Sequence, residues 1–267
     1  MSDQPILELH DIYKSFGPVE VLKGVDFAVT PGRVTALVGD NGAGKSTLVK
    51  CISGTYTIDS GTYLFEGRPA TVHSPRDASA LGIEIVYQDL ALCDNLDIVQ
   101  NMFLGREKKR GIVLDEPTME QMAGDTLASL SVRTVKSLRQ LVARLSGGQR
   151  QTVAIAKAVL WNSRVVILDE PTAALGVAQT AQVLELVRRL ADNGLGVVLI
   201  SHNMNDVFAV SDRIAALYLG RMAAQVKATE VTHSQVVELI TAGRSGNLGL
   251  PPEKPNGFVD ITPGDER

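Results

Sequence analysis

Three observations predict an α/β fold with a mostly parallel sheet, an N-terminal antiparallel β subdomain and an inserted helical subdomain. First, short apolar runs recur at Arg33 to Val38, Val165 to Leu168, Val197 to Ile200 and Ile214 to Leu219, with helical stretches such as Val183 to Leu190 between them. Strands alternating with helices in this way imply parallel pairing under helical layers. Second, residues Ile6 to Val29 alternate apolar and polar positions in short bursts broken by Gly17-Pro18 and Pro31-Gly32, the pattern of strands and tight turns. Third, the strand signals fade between Cys93 and Leu145, where Met119, Met122, Leu127 and Leu130 fall at helical spacing.

With 267 residues the chain can bury a full core around one large unit and a smaller subdomain. The readings divide it into a core with its antiparallel part over 1–92, the helical subdomain over 93–155 and the rest of the core over 156–243. Residues 244–267 are rich in Gly, Pro and charge and are expected to be a flexible tail. A composition of 45% hydrophobic and 21% charged residues excludes a disordered chain, and a formal charge of -4 gives no bulk reason to expect nucleic acid or anionic lipid as the main partner. The only cysteines, Cys51 and Cys93, form no CxxC pattern, which argues against a disulfide framework or zinc site and for a reducing compartment. The start Met-Ser-Asp-Gln-Pro lacks the marks of a signal peptide, and no run approaches the roughly 18 apolar residues of a spanning helix. A cytoplasmic location is therefore expected, with any membrane link made through partner proteins.

The run Gly39-Asp40-Asn41-Gly42-Ala43-Gly44-Lys45-Ser46 matches GxxxxGK[ST], follows an expected strand and continues into Thr47. Glycines there let the backbone turn its N–H groups inward at phosphate oxygens, while the next helix presents its positive end to the same anion. Lys45 would bridge the β and γ phosphates and Ser46 would ligate Mg²⁺. The core is thus expected to be a P-loop NTPase; a glycine-rich turn beside a surface lysine is the plainer alternative.

Leu-Asp-Glu-Pro-Thr occurs at Leu114 to Thr118 and again at Leu168 to Thr172. A magnesium carboxylate must stand at the carboxyl end of a buried strand beside the phosphate loop, because ligands of open parallel sheets bind there. Val165 to Leu168 supply such a strand for the second copy. The first copy leads into the helical stretch from Met119, so Asp115 reads as a helix N-cap with Pro117 in the first turn. In the second copy Asp169 would hold Mg²⁺, through water, and Glu170 would polarise the water that attacks the γ-phosphate. A strand-end carboxylate without a catalytic role is the alternative for Glu170.

Leu145-Ser146-Gly147-Gly148-Gln149 opens a further helix, and Ser146 with Gln149 also makes a capping box, so a structural role is available. With LSGGQ lying between the phosphate loop and Asp169, the chain resembles the nucleotide-binding subunits of ABC transporters over about Ile6 to Gly243. The resemblance implies that Phe16 stacks on adenine and that the cofactors are ATP and Mg²⁺. It implies that Gln88 reaches the metal and couples to membrane subunits, and that His202 is a switch at the γ-phosphate. Without the resemblance Gln88 reads as a solvated loop residue and His202 as a strand-end histidine bonded to backbone. After Glu170-Pro171-Thr172-Ala173-Ala174-Leu175 this chain has Gly176 where most of the family has Asp, which puts the usual contact across the dimer at this loop in doubt.

One phosphate loop and one signature per chain imply a head-to-tail homodimer with two composite sites, Ser146 to Gln149 of each copy closing the other's nucleotide. The stretches GDNGAGKST, YQDLALCDNLDIVQNMFLGRE, LSGGQRQTVAIAKA, LDEPTAALGV and ISHNM are similar as a set to monosaccharide importers, particularly single-cassette fructose-type ones. The resemblance then implies multi-spanning permease subunits, an extracytoplasmic sugar-binding protein, no nucleic acid, and a peripheral place on the inner face of the membrane. The alternatives are a non-transport ABC ATPase acting on nucleic acid or ribosomes, an ABC transporter ATPase for a substrate other than a sugar, and a phosphate-loop GTPase. The first would carry a long coiled-coil insertion or a second cassette and the last an NKxD-type motif; the sequence has none of these.

Overall fold

The computed structural model describes residues 4–132, 135 and 137–250. Two long strands, β1 (Leu7–Phe16) and β2 (Val19–Val29), pair antiparallel around the turn at Gly17-Pro18. Next, β3 (Val34–Gly39) runs through the glycine-rich loop into α1 (Lys45–Ile52), followed by β4 (Ser60–Phe65), β5 (Arg68–Pro69), α2 (Pro75–Ala80) and β6 (Ile83–Val86). The inserted part holds α3 (Ile98–Phe103), β7 (Lys109–Arg110), β8 (Val113–Leu114), α4 (Glu116–Ser129) and α5 (Gly147–Val159). Then come β9 (Val165–Asp169), α6 (Val177–Asp192), β10 (Gly196–Ile200), α7 (Met204–Val210), β11 (Arg213–Tyr218) and β12 (Arg221–Lys227). The described chain ends with α8 (His233–Ala242), β13 (Arg244–Ser245) and β14 (Leu248–Gly249).

The main sheet has the order β12-β11-β3-β10-β9-β6, parallel from β11 to β6 with β12 as an antiparallel edge. All of β10 and the first four residues of β9 are buried, because parallel strands are covered on both faces and therefore read as unbroken apolar runs. Side chains alternate between those faces. Val166, Leu168, Val197 and Leu199 pack with α3, α5 and α6, while Val165, Ile167, Val198 and Ile200 pack with α1 and the antiparallel sheet. That second sheet has the order β2-β1-β4-β5, and its inward residues Leu7, Leu9, Leu22 and Phe27 share the core with Leu48 and Ile52 of α1. The phosphate loop is thereby clamped between the two sheets.

The inserted part is helical where Met119, Ala123 and Leu127 turn one face of α4 onto Met102, Phe103 and Val153. The Asp115 side chain accepts the Thr118 N–H at 3.3 Å and a proline stands in the first turn, so the first Leu-Asp-Glu-Pro-Thr copy is a helix start. One feature differs from the sequence reading. A small hairpin of β7 and β8 turns at Gly111 (φ 69°) and leaves Ile112 fully exposed. Helix α5 runs unbroken through Val153 and Ala156 to its C-cap at Leu160, with Ala156 and Ala158 in its buried face.

The expectation of a flexible tail from Arg244 is corrected. Gly243, with φ 72°, ends α8 in a left-handed turn, and β13 and β14 fold back so that Leu248 and Leu250 pack on the core beneath α8. Residues 251–267 of that expected tail lie outside the described residues. At Gly243 a Cβ would stand 2.6 Å from Cδ1 of Tyr218, in a backbone region that side chains rarely adopt. Gly243→Ala is expected to lower stability by about 1–3 kcal/mol, read as a lower denaturant midpoint at unchanged slope.

Candidate nucleotide site

The site forms where the carboxyl ends of β3, β9 and β10 open beside the first turn of α1, the edge at which open parallel sheets bind ligands. Gly39 ends β3 with its Cα so close to Leu217 that a Cβ would lie 2.6 Å from the Leu217 carbonyl oxygen. Gly42 and Gly44 have φ of 83° and 106°, and Gly44 caps α1 with no side-chain bond to the helix. The Asp40 carbonyl accepts the Ala43 N–H and the Asp40 carboxylate accepts the Asn41 N–H, which closes the loop on itself. Such a loop followed by a helix start directs N–H groups at an anion.

Lys45 reaches back across this loop and donates from Nζ to the carbonyls of Gly39 and Asp40, at 2.8 and 3.1 Å. Its ammonium is held by groups that a phosphate can replace. Burial pulls its pKa below the ordinary 10.5, against the pull of Glu170, Asp40 and Asp169. Asp169 closes β9 opposite Ile200 of β10. Burial, then the neighbouring Glu170 charge, raises its pKa above 3.8, with Lys45 opposing. One half-buried cation and two carboxylates thus meet within electrostatic reach of each other. Ser46 and Thr47 follow Lys45 in the first turn of α1.

Glu170 follows with φ 49°, its N–H bonded to the Ile200 carbonyl at 3.0 Å. Its Oε2 lies 2.9 Å from Nδ1 of His202, whose side chain is 79% exposed while that of Glu170 is 16% exposed. The histidine comes two residues after β10, so adjacent strands deliver the carboxylate and the imidazole to one point. Phe16 stands at the end of β1, 42% exposed, in an edge contact with Tyr56 at 5.1 Å and with Lys14 Nζ 5.5 Å from the ring centroid. Tyr56 and Lys14 complete an aromatic, cationic platform that the sequence reading missed.

Gln88 leaves the same sheet edge as this cluster, since Val86 of β6 pairs with Leu168 of β9. It is exposed beyond β6 and makes no bond to the cluster among the described residues. Ser146 caps α5, accepting the Gln149 N–H at 3.3 Å while Gln149 Oε1 accepts the Ser146 N–H at 2.9 Å, so the capping box is real. Ser146 and Gly147 face solvent, and Gly148 packs so closely on α6 that a Cβ would come within 3.2 Å of the Gln179 Cβ. Gly176 is the N-cap of α6 with φ -74° and open space where a Cβ would stand, so the backbone does not demand glycine there.

The donors fit a hard cation that shares its shell with a nucleotide. Asp169 offers one carboxylate and Ser46 one hydroxyl, and among the described residues no group of three His, Cys, Asp or Glu is placed to hold a metal unaided. Magnesium is commonly bound through one or two protein oxygens, phosphate oxygens and water.

A family model described as ABC transporter matches residues 22–173. The chain is 46% identical over 251 residues to the fructose import ATP-binding protein FrcA of Rhizobium meliloti, covering 91% of this chain and 96% of that one. It is 44% identical over 250 residues to the xylose/arabinose import ATP-binding protein XylG of Sulfolobus acidocaldarius, covering 94% and 98%. Against the ribose import ATP-binding protein RbsA of Yersinia pestis it is 39% identical over 240 residues, 90% of this chain but 47% of the longer relative. Among solved structures, a nucleotide-free ATP-binding cassette from an ABC transporter superposes with a TM-score of 0.77 at 25% identity, over 90% of this chain and 96% of that one. For cbiO1 from Clostridium perfringens, part of an ABC transporter complex, the TM-score is 0.75 at 27% identity, over 87% and 92%. The chain belongs to the ABC transporter family, as one of its ATP-binding cassettes.

Proposed function

We infer that this chain hydrolyses ATP to drive import of a monosaccharide through membrane permease subunits. The observation that carries the ATPase reading is the meeting of Lys45, Asp169, Glu170 and His202 at one sheet edge beside the phosphate loop. The substrate class rests on likeness over more than nine-tenths of the chain to proteins named for fructose and for xylose/arabinose import. No helix among the described residues is long and apolar enough to cross a membrane.

In this reading the loop from Gly39 to Thr47 binds the phosphates and Phe16 stacks on the adenine. Lys45 leaves its two loop carbonyls for the β and γ phosphates. Mg²⁺, held by Ser46, Asp169 and Gln88, would neutralise phosphate charge. Glu170 accepts a proton from the attacking water, and His202 holds that carboxylate in place and faces the γ-phosphate. The exposed Ser146 and Gly147 are available to a second copy, which makes a head-to-tail homodimer with two composite sites. The cassette then comprises the core (1–92 and 156–243) and the signature-bearing part (93–155), whose motion relative to the core reaches the permeases. A groove of about 280 Å³ beside Gln88, with Tyr87, Leu90, Arg106 and Trp161 in its wall, supports a protein contact there. An extracytoplasmic sugar-binding protein completes the assembly, with this chain on the inner face of the membrane. Reconstitution with the permease tests the reading: ATP-dependent uptake of a labelled monosaccharide supports it, and ATP hydrolysis without uptake of any pentose or hexose rejects the substrate class.

Affinity should depend on pH in two opposed limbs. A bound triphosphate favours charged Lys45, whose free-state pKa is depressed, so binding takes up a proton and weakens as pH rises through that depressed value, below 10.5. A bound cation needs ionised Asp169, whose free-state pKa is raised, so metal-dependent binding releases a proton and weakens as pH falls toward that raised value, above 3.8. Calorimetric titrations in buffers of different ionisation enthalpy read both signs; proton release at alkaline pH without metal would contradict the Lys45 assignment.

A further inference from the structure

Two residues with side chains adopt left-handed backbone in one short loop, Glu170 at φ 49° and Ala174 at φ 62°. Such conformations persist only where the surroundings enforce them. The main chain supplies the Glu170 N–H bond to Ile200 and two local turns, Ala173 N–H to the Glu170 carbonyl at 3.1 Å and Leu175 N–H to the Thr172 carbonyl at 3.2 Å. These turns shape the loop without anchoring its far half. Among the described residues, two polar side-chain contacts leave the loop: Glu170 to His202, and Thr172 Oγ1 donating to Asp206 Oδ2 at 2.7 Å.

Both partners lie on the segment that leaves β10, His202 just before α7 and Asp206 in its first turn. Asp206 is 6% exposed. Among the described residues no Lys, Arg or His pairs with it, and its carboxylate accepts the Thr172 hydroxyl. A buried carboxylate is costly to keep unless its hydrogen bonds are in place, so this one is committed to the loop that carries Glu170. It lies four residues past His202, about one helical turn. The loop is therefore fastened to one segment at two points, once through each contact.

We propose that Asp206 is a positioning residue for ATP hydrolysis, which through the Thr172 hydroxyl fixes the loop of Glu170 to 175 against α7 and so holds the Glu170 carboxylate at His202. The inference rests on Glu170 as the group that activates the water. Asp206 touches no substrate; it narrows the range of places Glu170 can occupy. A misplacement of about 1 Å in a catalytic group can cost up to about 10²-fold in rate.

The test is steady-state ATP turnover and equilibrium nucleotide binding on the full chain, with Asp206→Ala, Asp206→Asn, Thr172→Val, Thr172→Ser and the Asp206→Ala/Thr172→Val double variant. Asp206→Ala and Thr172→Val are each expected to lower kcat by about 10- to 10²-fold with nucleotide affinity unchanged. Asn and Ser keep an acceptor and a donor at the two ends, so both should retain most of the parental kcat. The double variant should be no slower than the slower single one, since both remove the same bond. Should Asp206→Ala fail to fold, Thr172→Val, which keeps the side-chain shape, carries the comparison alone. Parental kcat in Thr172→Val, losses that multiply in the double variant, or an affinity loss that accounts for the whole effect overturns the proposal. Glu170→Gln runs beside them: if it is inactive while Thr172→Val turns over normally, only the positioning role falls. If Glu170→Gln itself is active, the reading of Glu170 falls and this proposal with it.

Discussion

Glu170→Gln is expected to bind ATP with parental affinity and to lose about 10²- to 10⁴-fold in kcat, the range for removing a positioned proton-transfer group. The substitution is close to isosteric. An amide oxygen can still meet the His202 ring at the 2.9 Å the carboxylate now holds, and the φ of 49° is set by the backbone bond to Ile200 rather than by side-chain charge. What disappears is the proton acceptor. The change also removes one negative charge from the surroundings of Lys45 and Asp169, both of which feel Glu170. The Asp169 pKa should therefore drop and metal binding should not suffer. A nucleotide bound but not turned over accumulates, and if it bridges two copies it should hold them together. Light scattering of this variant with ATP and Mg²⁺ should show a mass near twice that of the 28.6 kDa chain. Near-parental turnover would remove Glu170 from its role, and a slow but strictly monomeric variant would remove the composite site.

The parts of this molecule that were legible in the sequence are those where one residue type answers one local demand. Gly39 and Gly44 are required by a neighbouring carbonyl and by positive φ, and both requirements sit within the eight-residue loop that a motif can span. The strands β9 and β10 show as apolar runs because both of their faces are covered, and the strand before Asp169 separates the two Leu-Asp-Glu-Pro-Thr copies. The other copy proves to be a cap, Asp115 to the Thr118 N–H.

What was not legible depends on pairs made only by the fold. Tyr56 meets Phe16 from forty positions away, because α1 and the antiparallel sheet share one core. Thr172 and Asp206 are 34 residues apart, and neither carries a spacing signal of its own. Polar residues on a loop and a helix start are common for solvent reasons alone. The hairpin of β13 and β14 was hidden for another reason: Leu248 and Leu250 are isolated apolar residues in a Gly-rich stretch, and their value comes from a surface on α8 and β12 that exists only in the folded chain.

Lys45→Ala is expected to act on binding rather than on the chemical step alone. A charge-assisted hydrogen bond contributes about 1.5–3 kcal/mol, so ATP affinity should fall by about 10- to 10²-fold. The structure supplies the reason the loss should not be larger. The ammonium is bonded to the Gly39 and Asp40 carbonyls, at 2.8 and 3.1 Å, so binding exchanges those bonds for phosphate bonds. The net gain is the difference between carbonyl and phosphate as partners of a half-buried cation. Removing the side chain also frees both carbonyls, and a loop shaped by Gly42 and Gly44 at positive φ loses one of its ties. Lys45→Arg separates the two contributions: it keeps the charge but carries a broader head group into the space beside those carbonyls. It should bind worse than the parent despite its charge, because a planar fork cannot occupy the position of a compact ammonium. ADP and ATP titrations on the three proteins decide the matter. A loss for ATP that exceeds the loss for ADP places the lysine at the γ-phosphate as well as the β. Equal losses confine it to the β, and unchanged affinity for both would sink the assignment of this loop as the phosphate site.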